Sequence, residues 1–316
     1  MPHICTKPRE SSPVKKKFYG FFAKTLLLLL LSFSFAHAAE EKELEWVLKD
    51  TRFEFGYVAG QFIGLKQGYL DLGAFTPLFQ SGDFLAFADA KGYRFDNSRW
   101  GASAGIGMRT WSMRDFIFGS NVYYDYLQGR RHSFNRMGAG LECLGACWDL
   151  RINGYFPILD TIHCSERRVF TDFQGDFIAS AEHRQFMPRL GFDMELGIPI
   201  GSWDEFSCYF AAGPYYYNWR QQKNYWGGQA RFELYWKSYF TAQIQTSYDA
   251  VNHSRTEGKF LVFIPFELFL DCKSSEDLCK ALFYQPVVRN GTIFTEHCCR
   301  FICNWDHERH RCGCNR

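Results

Sequence analysis

The residues best suited to metal or redox chemistry lie together at the end of the chain. Residues 295–316 form a tail rich in cysteine and histidine: Cys298, Cys299, Cys303, Cys312, Cys314, His297, His307 and His310. Thiolate and imidazole side chains bind zinc, but these spacings match no standard zinc finger. In an oxidising compartment such cysteines form disulfides instead. We therefore expect disulfides or intermolecular cross-links here, with a metal site and a degenerate or frame-shifted tail as alternatives.

Two further cysteine pairs are candidates for disulfides. Cys143 and Cys147 bracket a three-residue turn at the ends of two predicted strands. Cys272 and Cys279 lie on either side of the junction between the last predicted strand and a short predicted helix. Both pairs would form only if the chain reaches an oxidising compartment.

Catalytic side chains are poorly represented. Candidate bases such as His132, His163 and His183 are present, but none belongs to a recognisable nucleophile–base motif. We predict that the protein is not an enzyme, and we assign no catalytic residue, metal or cofactor. The net charge of +2, with basic residues clustered only near the N-terminus, gives no reason to expect a nucleic-acid partner.

The N-terminus predicts a secretory signal peptide. Four lysines within 15–24 form a positive flank before the apolar stretch 26–35. Ala36-His37-Ala38 has the small–x–small form of a signal-peptidase site, which places cleavage between Ala38 and Ala39. No run of 18 apolar residues occurs, so we predict an exported chain without membrane-spanning helices.

The elements that must position the remaining residues are β-strands. From Trp226 to Trp236 the residues alternate, with Phe232 on one face and Arg231 and Glu233 on the other. Successive side chains of a strand point to opposite faces, so the segment has one apolar and one charged face. Aromatic residues end the apolar face, which is typical of a strand with lipid outside and water inside.

Twelve such strands can be assigned: 68–77, 84–94, 100–111, 115–126, 134–143, 147–157, 170–184, 189–199, 206–218, 225–237, 239–250 and 258–270. Single-chain bacterial barrels have an even number of strands. A soluble β-sandwich would show the same period, but it explains less well why Arg, Asp, Glu and Gln recur on the opposed faces. The predicted fold class is all-β, a transmembrane antiparallel β-barrel.

Several motifs occur in the order and spacing of a known family. They are SRWG at 98–101, GIG at 105–107, GSNVYYDY at 119–126, DLRINGYFP at 149–157 and GFDMELGIP at 191–199. Over about 68–294 the chain resembles the inverse autotransporter β-domain, the N-terminal translocator of intimin and invasin. The resemblance implies a twelve-stranded barrel that carries the following part of the chain to the cell surface.

The resemblance extends to the residues that follow the barrel. Ser274 begins an N-cap signal for a short helix from Leu278 to Phe283. In the family such a helix plugs the periplasmic side, and a linker crosses the lumen to the passenger. The stretch 287–294 resembles that linker, with Val288, Arg289, Asn290 and Ile293 as its matching positions. Only 22 residues follow Phe294, so we expect no immunoglobulin-like passenger, which needs about 100.

These assignments define a predicted organisation: signal peptide 1–38, periplasmic lead segment 39–67, outer-membrane β-barrel 68–270, plug helix and linker 271–294, and Cys/His-rich tail 295–316. We expect the protein in the outer membrane of a Gram-negative-type bacterium, with outer-membrane lipid and the barrel-assembly machinery as partners. The predicted function is to anchor and export the C-terminal segment. The alternatives are a small outer-membrane channel, or a structural envelope protein linked to others by disulfides.

Overall fold

The computed structural model describes residues 51–312 except 64, 66, 113–115, 130–132, 159–161, 170–177, 220–223, 238, 266–282 and 306–307. For 162–169, 178–186, 265 and 296–312 the backbone alone is described. The predicted signal peptide with Ala38 and Ala39, and most of the predicted plug helix, lie outside these residues. Among the described residues, no helix is long and apolar enough to cross a membrane.

The described residues form antiparallel strands. In chain order they are β1 (Arg52–Gly60), β2 (Tyr69–Ser81), β3 (Phe84–Phe95), β4 (Trp100–Ser112), β5 (Phe116–Gln128), β6 (Ser133–Gly145), β7 (Asp149–Pro157), β8 (Ile162–Val169), β9 (Ile178–Phe186), β10 (Leu190–Trp203), β11 (Phe206–Asn218), β12 (Tyr225–Trp236), β13 (Phe240–Asp249), β14 (His253–Pro265), β15 (Glu296–Trp305) and β16 (Glu308–Cys312).

Twelve of these strands close into a barrel, which confirms the predicted all-β fold class and strand number. The order is β1-β14-β13-β12-β11-β10-β7-β6-β5-β4-β3-β2, and every neighbouring pair is antiparallel. The ring closes where β1 pairs with β14, from Arg52 opposite Pro265 to Gly60 opposite Glu257. Closure removes the unpaired strand edges that an open sheet would present.

One barrel strand was missed and one predicted barrel strand was wrong, so the two errors cancel in the count. Residues 52–60, placed in the lead segment 39–67, form β1 of the barrel. The predicted strand 170–184 is not a barrel strand: its described part belongs to β9, while β7 pairs directly with β10. Alternation identifies a strand but does not reveal which strand it pairs with.

The predicted faces are confirmed by the burial of the side chains. Trp226 is 64% exposed on the outside of β12, whereas Arg231 is 2% exposed inside. The same alternation holds in β5, where Val122 and Tyr124 face outward and Asp125 is fully buried. The outer surface is therefore apolar and the lumen polar, the reverse of a water-soluble barrel.

The two ends of the barrel differ in their connections. One end, here called the short-turn end, carries turns of two or three residues such as 82–83, 146–148 and 204–205. The other, the long-loop end, carries 61–68, 219–224 and the connection between β7 and β10. That connection contains β8 and β9, which join β15 and β16 in a separate sheet of order β16-β15-β9-β8.

Candidate functional site: the barrel lumen

The segment 283–294 crosses the lumen. At the short-turn end, Phe283 stacks on Trp111 with ring centroids 5.7 Å apart, and Val287 belongs to the same buried apolar cluster. At the long-loop end, Phe294 packs edge-on against Tyr217 at 5.0 Å. Phe283 and Tyr284 end a helical turn. At an extended rise of about 3.3 Å per residue, the nine steps from Gln285 to Phe294 can cover roughly 30 Å, enough for the apolar band of a barrel, which is about 25 Å tall.

The apolar inner surface of β3 is explained by this segment. Leu85 and Phe87 are fully buried although they face the lumen, and they pack in the cluster that contains Phe283, Tyr284 and Val287. In the sequence this part of β3 is apolar on both faces. One face contacts the outside and the other contacts the crossing segment.

Two arginines of the barrel wall donate to the backbone of the crossing segment. Arg109 of β4 donates to the carbonyl oxygens of Phe283 and Gln285, at 2.8 and 2.5 Å. Its charge is balanced by Glu142 of β6, 2.9 Å away. Arg136 of β6 donates to the carbonyl oxygen of Asn290 at 2.6 Å. Since every residue offers a carbonyl, these contacts hold an extended chain largely independently of its side chains.

A third arginine makes the opposite contact, from the segment to the wall. Arg289 forms a bidentate pair with Asp125 of β5, at 2.8 and 2.7 Å, and also donates to the Ser103 hydroxyl of β4 at 2.8 Å. Its guanidinium lies 4.2 Å from the ring centroid of Tyr123 and 5.6 Å from that of Tyr155. Paired and stacked in this way, the charge is well compensated.

The side of the lumen lined by β4–β7, here called the occupied half, makes these contacts. The side lined by β1–β3 and β12–β14, here called the open half, borders a cavity of about 900 Å³ beside the segment. There Lys259 contacts Asp71 at 2.7 Å and Glu54 at 3.2 Å, and Lys91 contacts Glu54 at 3.0 Å. These charges neutralise one another along the wall.

The predicted linker residues lie together in the lumen. Arg289 pairs with Asp125, and the backbone nitrogen of Asn290 donates to the Tyr155 hydroxyl at 2.9 Å. Ile293 is buried in the cluster at the long-loop end, and Val288 lines the cavity. Sequence analysis missed their partners on the wall. Asp125 and Tyr123 alternate with the outward-facing residues of β5, but one sequence does not show which residue occupies the space opposite them.

The cysteine predictions fall mostly outside the described side chains. Cys143, which half-faces outward on β6, and Cys147, exposed in the following turn, are free thiols, so the predicted bond between them is not formed in this structure. Cys272, Cys279 and Cys314 lie outside the described residues. For Cys298, Cys299, Cys303 and Cys312 only the backbone is described: Cys299 is opposite His183, and Cys303 is opposite His310.

The histidines considered as catalytic candidates are not brought together at a described site. His163 and His183 lie on β8 and β9, described by their backbones alone, and His132 lies outside the described residues. Among the described side chains, no group of three or more His, Cys, Asp or Glu residues is arranged to hold a metal ion.

Comparison with known structures shows the same barrel fold. A structure described as "Unveiling the Mechanism Behind the in-meso Crystallization of Membrane Proteins" is 19% identical, covers 78% of this chain and 99% of its own, and superposes with a TM-score of 0.52. The KdgM porin in complex with disordered oligogalacturonate (7% identity, 67% and 97% covered) and outer membrane phospholipase A from Escherichia coli (10%, 69% and 91%) both reach 0.39. At that score neither likeness carries an argument about function. Among curated proteins no match was found.

The sequence itself matches a family model. Residues 64–213, which include β2 to β7 and most of β10 and β11, match the model described as "Inverse autotransporter, beta-domain". The match confirms the resemblance inferred from the motifs, over a shorter stretch than 68–294. The family is a class of barrel domains of the outer membrane and not a class of enzymes. Over residues 64–213 this chain is therefore similar to an inverse autotransporter β-domain, a match that indicates a β-barrel of the Gram-negative outer membrane.

Proposed function

We propose that the barrel anchors the chain in the outer membrane and exports its C-terminal segment to the cell surface. The observation that carries this proposal is the segment 283–294, which is hydrogen-bonded to the wall at both Arg109 and Arg136. In this proposal 271–294 act as plug helix and linker, and 295–316 are the displayed part.

The direction of the crossing supports export. Outer-membrane barrels have short periplasmic turns and longer extracellular loops. The segment contacts the short-turn end at Phe283 and the long-loop end at Phe294. After Phe294 the chain continues into β15, which pairs with β9 of the connection between β7 and β10. The tail would therefore lie against an extracellular loop.

Surface accessibility of the tail tests this proposal. An epitope inserted after Phe294 should be removed by protease added to intact cells. A second epitope placed directly after Ala39 is the matched control, because it should be cleaved only after the outer membrane is permeabilised. A tail epitope that is protected in intact cells, while a known surface protein is cleaved, would contradict export.

A small channel is the second candidate, favoured by the cavity of about 900 Å³ in the open half. A lumen that is open end to end beside the segment would give a steady conductance in planar bilayers with the full chain. Closure of the long-loop end by Phe62, Ile63 and Leu65, all buried, argues for little conductance. Recordings on the full chain separate the two functions, because the channel requires a steady conductance and export does not.

A disulfide-linked envelope protein is the third candidate, favoured by the exposed thiol of Cys147. Cross-linked partners would appear as high-mass species that collapse on reduction to the mass of a single mature chain, which lacks the predicted signal peptide. A pattern unchanged by reductant would remove this candidate. We also propose that the barrel-assembly machinery inserts the protein, which depletion of that machinery would test through loss of the folded, heat-modifiable form.

A further inference from the structure

The surroundings of Arg289 form a slot in the barrel wall with one open position. The slot is built by Ser103 of β4, Asp125 and Tyr123 of β5, Gly138 of β6 and Tyr155 of β7. All four side chains are buried to at least 97%. We propose that this guanidinium slot is a preformed receptor that accepts an arginine of an extended chain in the lumen and rejects a lysine.

The carboxylate of the slot is held by the wall without help from the crossing segment. Asp125 is opposite Arg136 in the β5–β6 register and opposite Ser103 in the β4–β5 register. Arg136 donates to its Oδ2 at 2.9 Å, and Ser103 donates to its Oδ1 at 2.7 Å. Each oxygen keeps a second acceptor position directed at the lumen, and the two nitrogens of Arg289 occupy these positions.

A glycine leaves the space that the planar group needs. A Cβ added at Gly138 would meet the Nη2 atom of Arg289 far closer than real carbon atoms approach such a group. Gly138 is an inward position of β6, between Arg136 and Gly140, where a side chain would otherwise fill the lumen. The glycine therefore leaves room for the guanidinium in its paired position, and the strand itself shows no positive φ there that would call for glycine.

The slot matches guanidinium better than ammonium for two reasons. A guanidinium offers two parallel N–H donors to the two oxygens of a carboxylate, and its flat face stacks on aromatic rings. Here both kinds of contact are made at once, with Asp125 at the edge and the ring of Tyr123 at the face. The Tyr123 hydroxyl donates to Asp89 at 2.7 Å, which fixes the ring in place. A lysine ammonium is a point charge that has neither two parallel donors in one plane nor a flat face that can stack on the ring.

This inference rests on the proposed export of the segment, since it makes Arg289 the residue at which the exported chain is held. The wall arginines Arg109 and Arg136 contact carbonyl oxygens and do not distinguish one stretch of chain from another. The guanidinium slot does distinguish them. It therefore fixes which residue of the chain rests at that height of the lumen.

The test is chemical rescue of Arg289→Ala in the full-length folded protein in detergent. The probe is methylguanidinium at non-denaturing concentration, with methylammonium as the matched cation. The readout is the temperature at which the folded form is lost in the gel-shift assay. Methylguanidinium should raise that temperature in the alanine variant by about 2–4 °C and leave the wild type unchanged. Equal effects of the two cations, or no effect of either, would overturn the proposal.

Two further variants keep the proposal open to refutation if rescue is difficult to observe. Arg289→Lys keeps the charge and should behave like Arg289→Ala; behaviour like the wild type would overturn selectivity for guanidinium. Gly138→Ala should lower the same temperature. Combined with Arg289→Ala, it should also prevent rescue by methylguanidinium. Its matched control is Gly92→Ala, because a Cβ at Gly92 meets no atom within 4 Å. Equal stability of these two variants would mean that the slot is not sterically defined.

Failure of the slot and failure of export are separate outcomes. Rescue is measured on purified protein and needs no export, whereas protease accessibility of the tail epitope needs no purified protein. If the epitope is surface-exposed but methylguanidinium has no effect, export stands and the slot is refuted. If rescue occurs and the epitope is protected, the slot stands and export is refuted.

Discussion

In the occupied half of the lumen, arginines of the wall donate to the crossing segment, whereas in the open half the charged side chains pair with one another. Arg109 and Arg136 each divide their donors between a wall carboxylate and a carbonyl of 283–290. Lys259 and Lys91 instead share Glu54 on neighbouring strands. Both halves bury charge, but only in the first do arginines of the wall donate to the backbone of the crossing segment.

The difference shows that charged residues in the lumen can have two roles. A charge removed from water must be paired, and pairing along the wall satisfies that need without any ligand. The open half does this beside the cavity, where Lys259 and Lys91 are paired with carboxylates of the wall. The occupied half would leave donors of Arg109 and one edge of Asp125 without a protein partner if the segment were absent. The crossing segment thus completes the hydrogen bonding of the wall arginines on one side only, although it also packs against apolar side chains of β3.

The largest expected effect compares two isosteric substitutions. Asp125→Asn leaves Arg136 and Arg289 buried without their shared countercharge, and breaking such a pair costs about 3–5 kcal/mol. Asp71→Asn leaves Lys259 paired with Glu54 beside the cavity, so the cost should be no more than about 2 kcal/mol. Urea unfolding of the two variants in lipid vesicles measures both. Equal losses of unfolding free energy in the two variants would contradict the distinction between the occupied half and the open half.

The second comparison separates stability from retention of the segment. Arg109→Ala and Arg231→Ala each remove a buried arginine with wall carboxylate partners, Glu142 in one case and Glu195 in the other. Only Arg109 also holds the backbone of the segment. We expect proteolysis at the aromatic residues Phe283 and Tyr284 to accelerate about tenfold in the Arg109 variant, because cleavage follows local opening. No comparable change should occur with Arg231→Ala; similar rates in both variants would refute a specific holding role for Arg109.

The third comparison adds volume instead of removing charge. Gln243 lines the cavity from β13, so Gln243→Trp should be accepted with a stability change within about 0.5 kcal/mol. If the cavity conducts ions, the added ring should lower the conductance in planar bilayers at the same time. Urea unfolding and single-channel recordings on the same preparation measure the two effects. Destabilisation like that of an overpacked core would mean that the open half is not open.

The sequence predicts the faces of the barrel better than its pairings. Alternation depends on neighbouring residues alone, so the outward position of Trp226 and the inward position of Arg231 follow from the segment itself. The pairing of β1 with β14 joins residues some two hundred positions apart, and nothing local to 52–60 indicates it. The charged residues that precede 52–60 instead favoured a periplasmic lead segment.

The candidate site, like the barrel, was predictable only in part: the sequence indicated a residue of the segment but not its partners on the wall. The linker resemblance singled out Arg289, which in the structure lies within the lumen. Its receptor could not be derived, because Ser103, Asp125, Gly138 and Tyr155 come from four different strands. Each is an ordinary inward-facing position when considered alone. Their shared role depends on the strand register, which brings the four residues to the same height in the lumen.

The smallest expected effect concerns a charge pair that faces water and not the lumen. Lys237, in the turn between β12 and β13, lies 3.0 Å from Glu205, in the turn between β10 and β11, and both side chains are 47% exposed. Hydrogen bonds from Lys237 and Trp236 hold the pKa of Glu205 below its usual range. A lowered carboxyl pKa stabilises the fold above the unfolded value near pH 4.5, and this contribution is lost as pH falls through the lowered pKa. Glu205→Gln should therefore leave the gel-shift temperature unchanged at pH 7 within error, since exposed pairs contribute little. A loss as large as that of Asp125→Asn would show that burial in the lumen is not what makes the occupied half sensitive to charge removal.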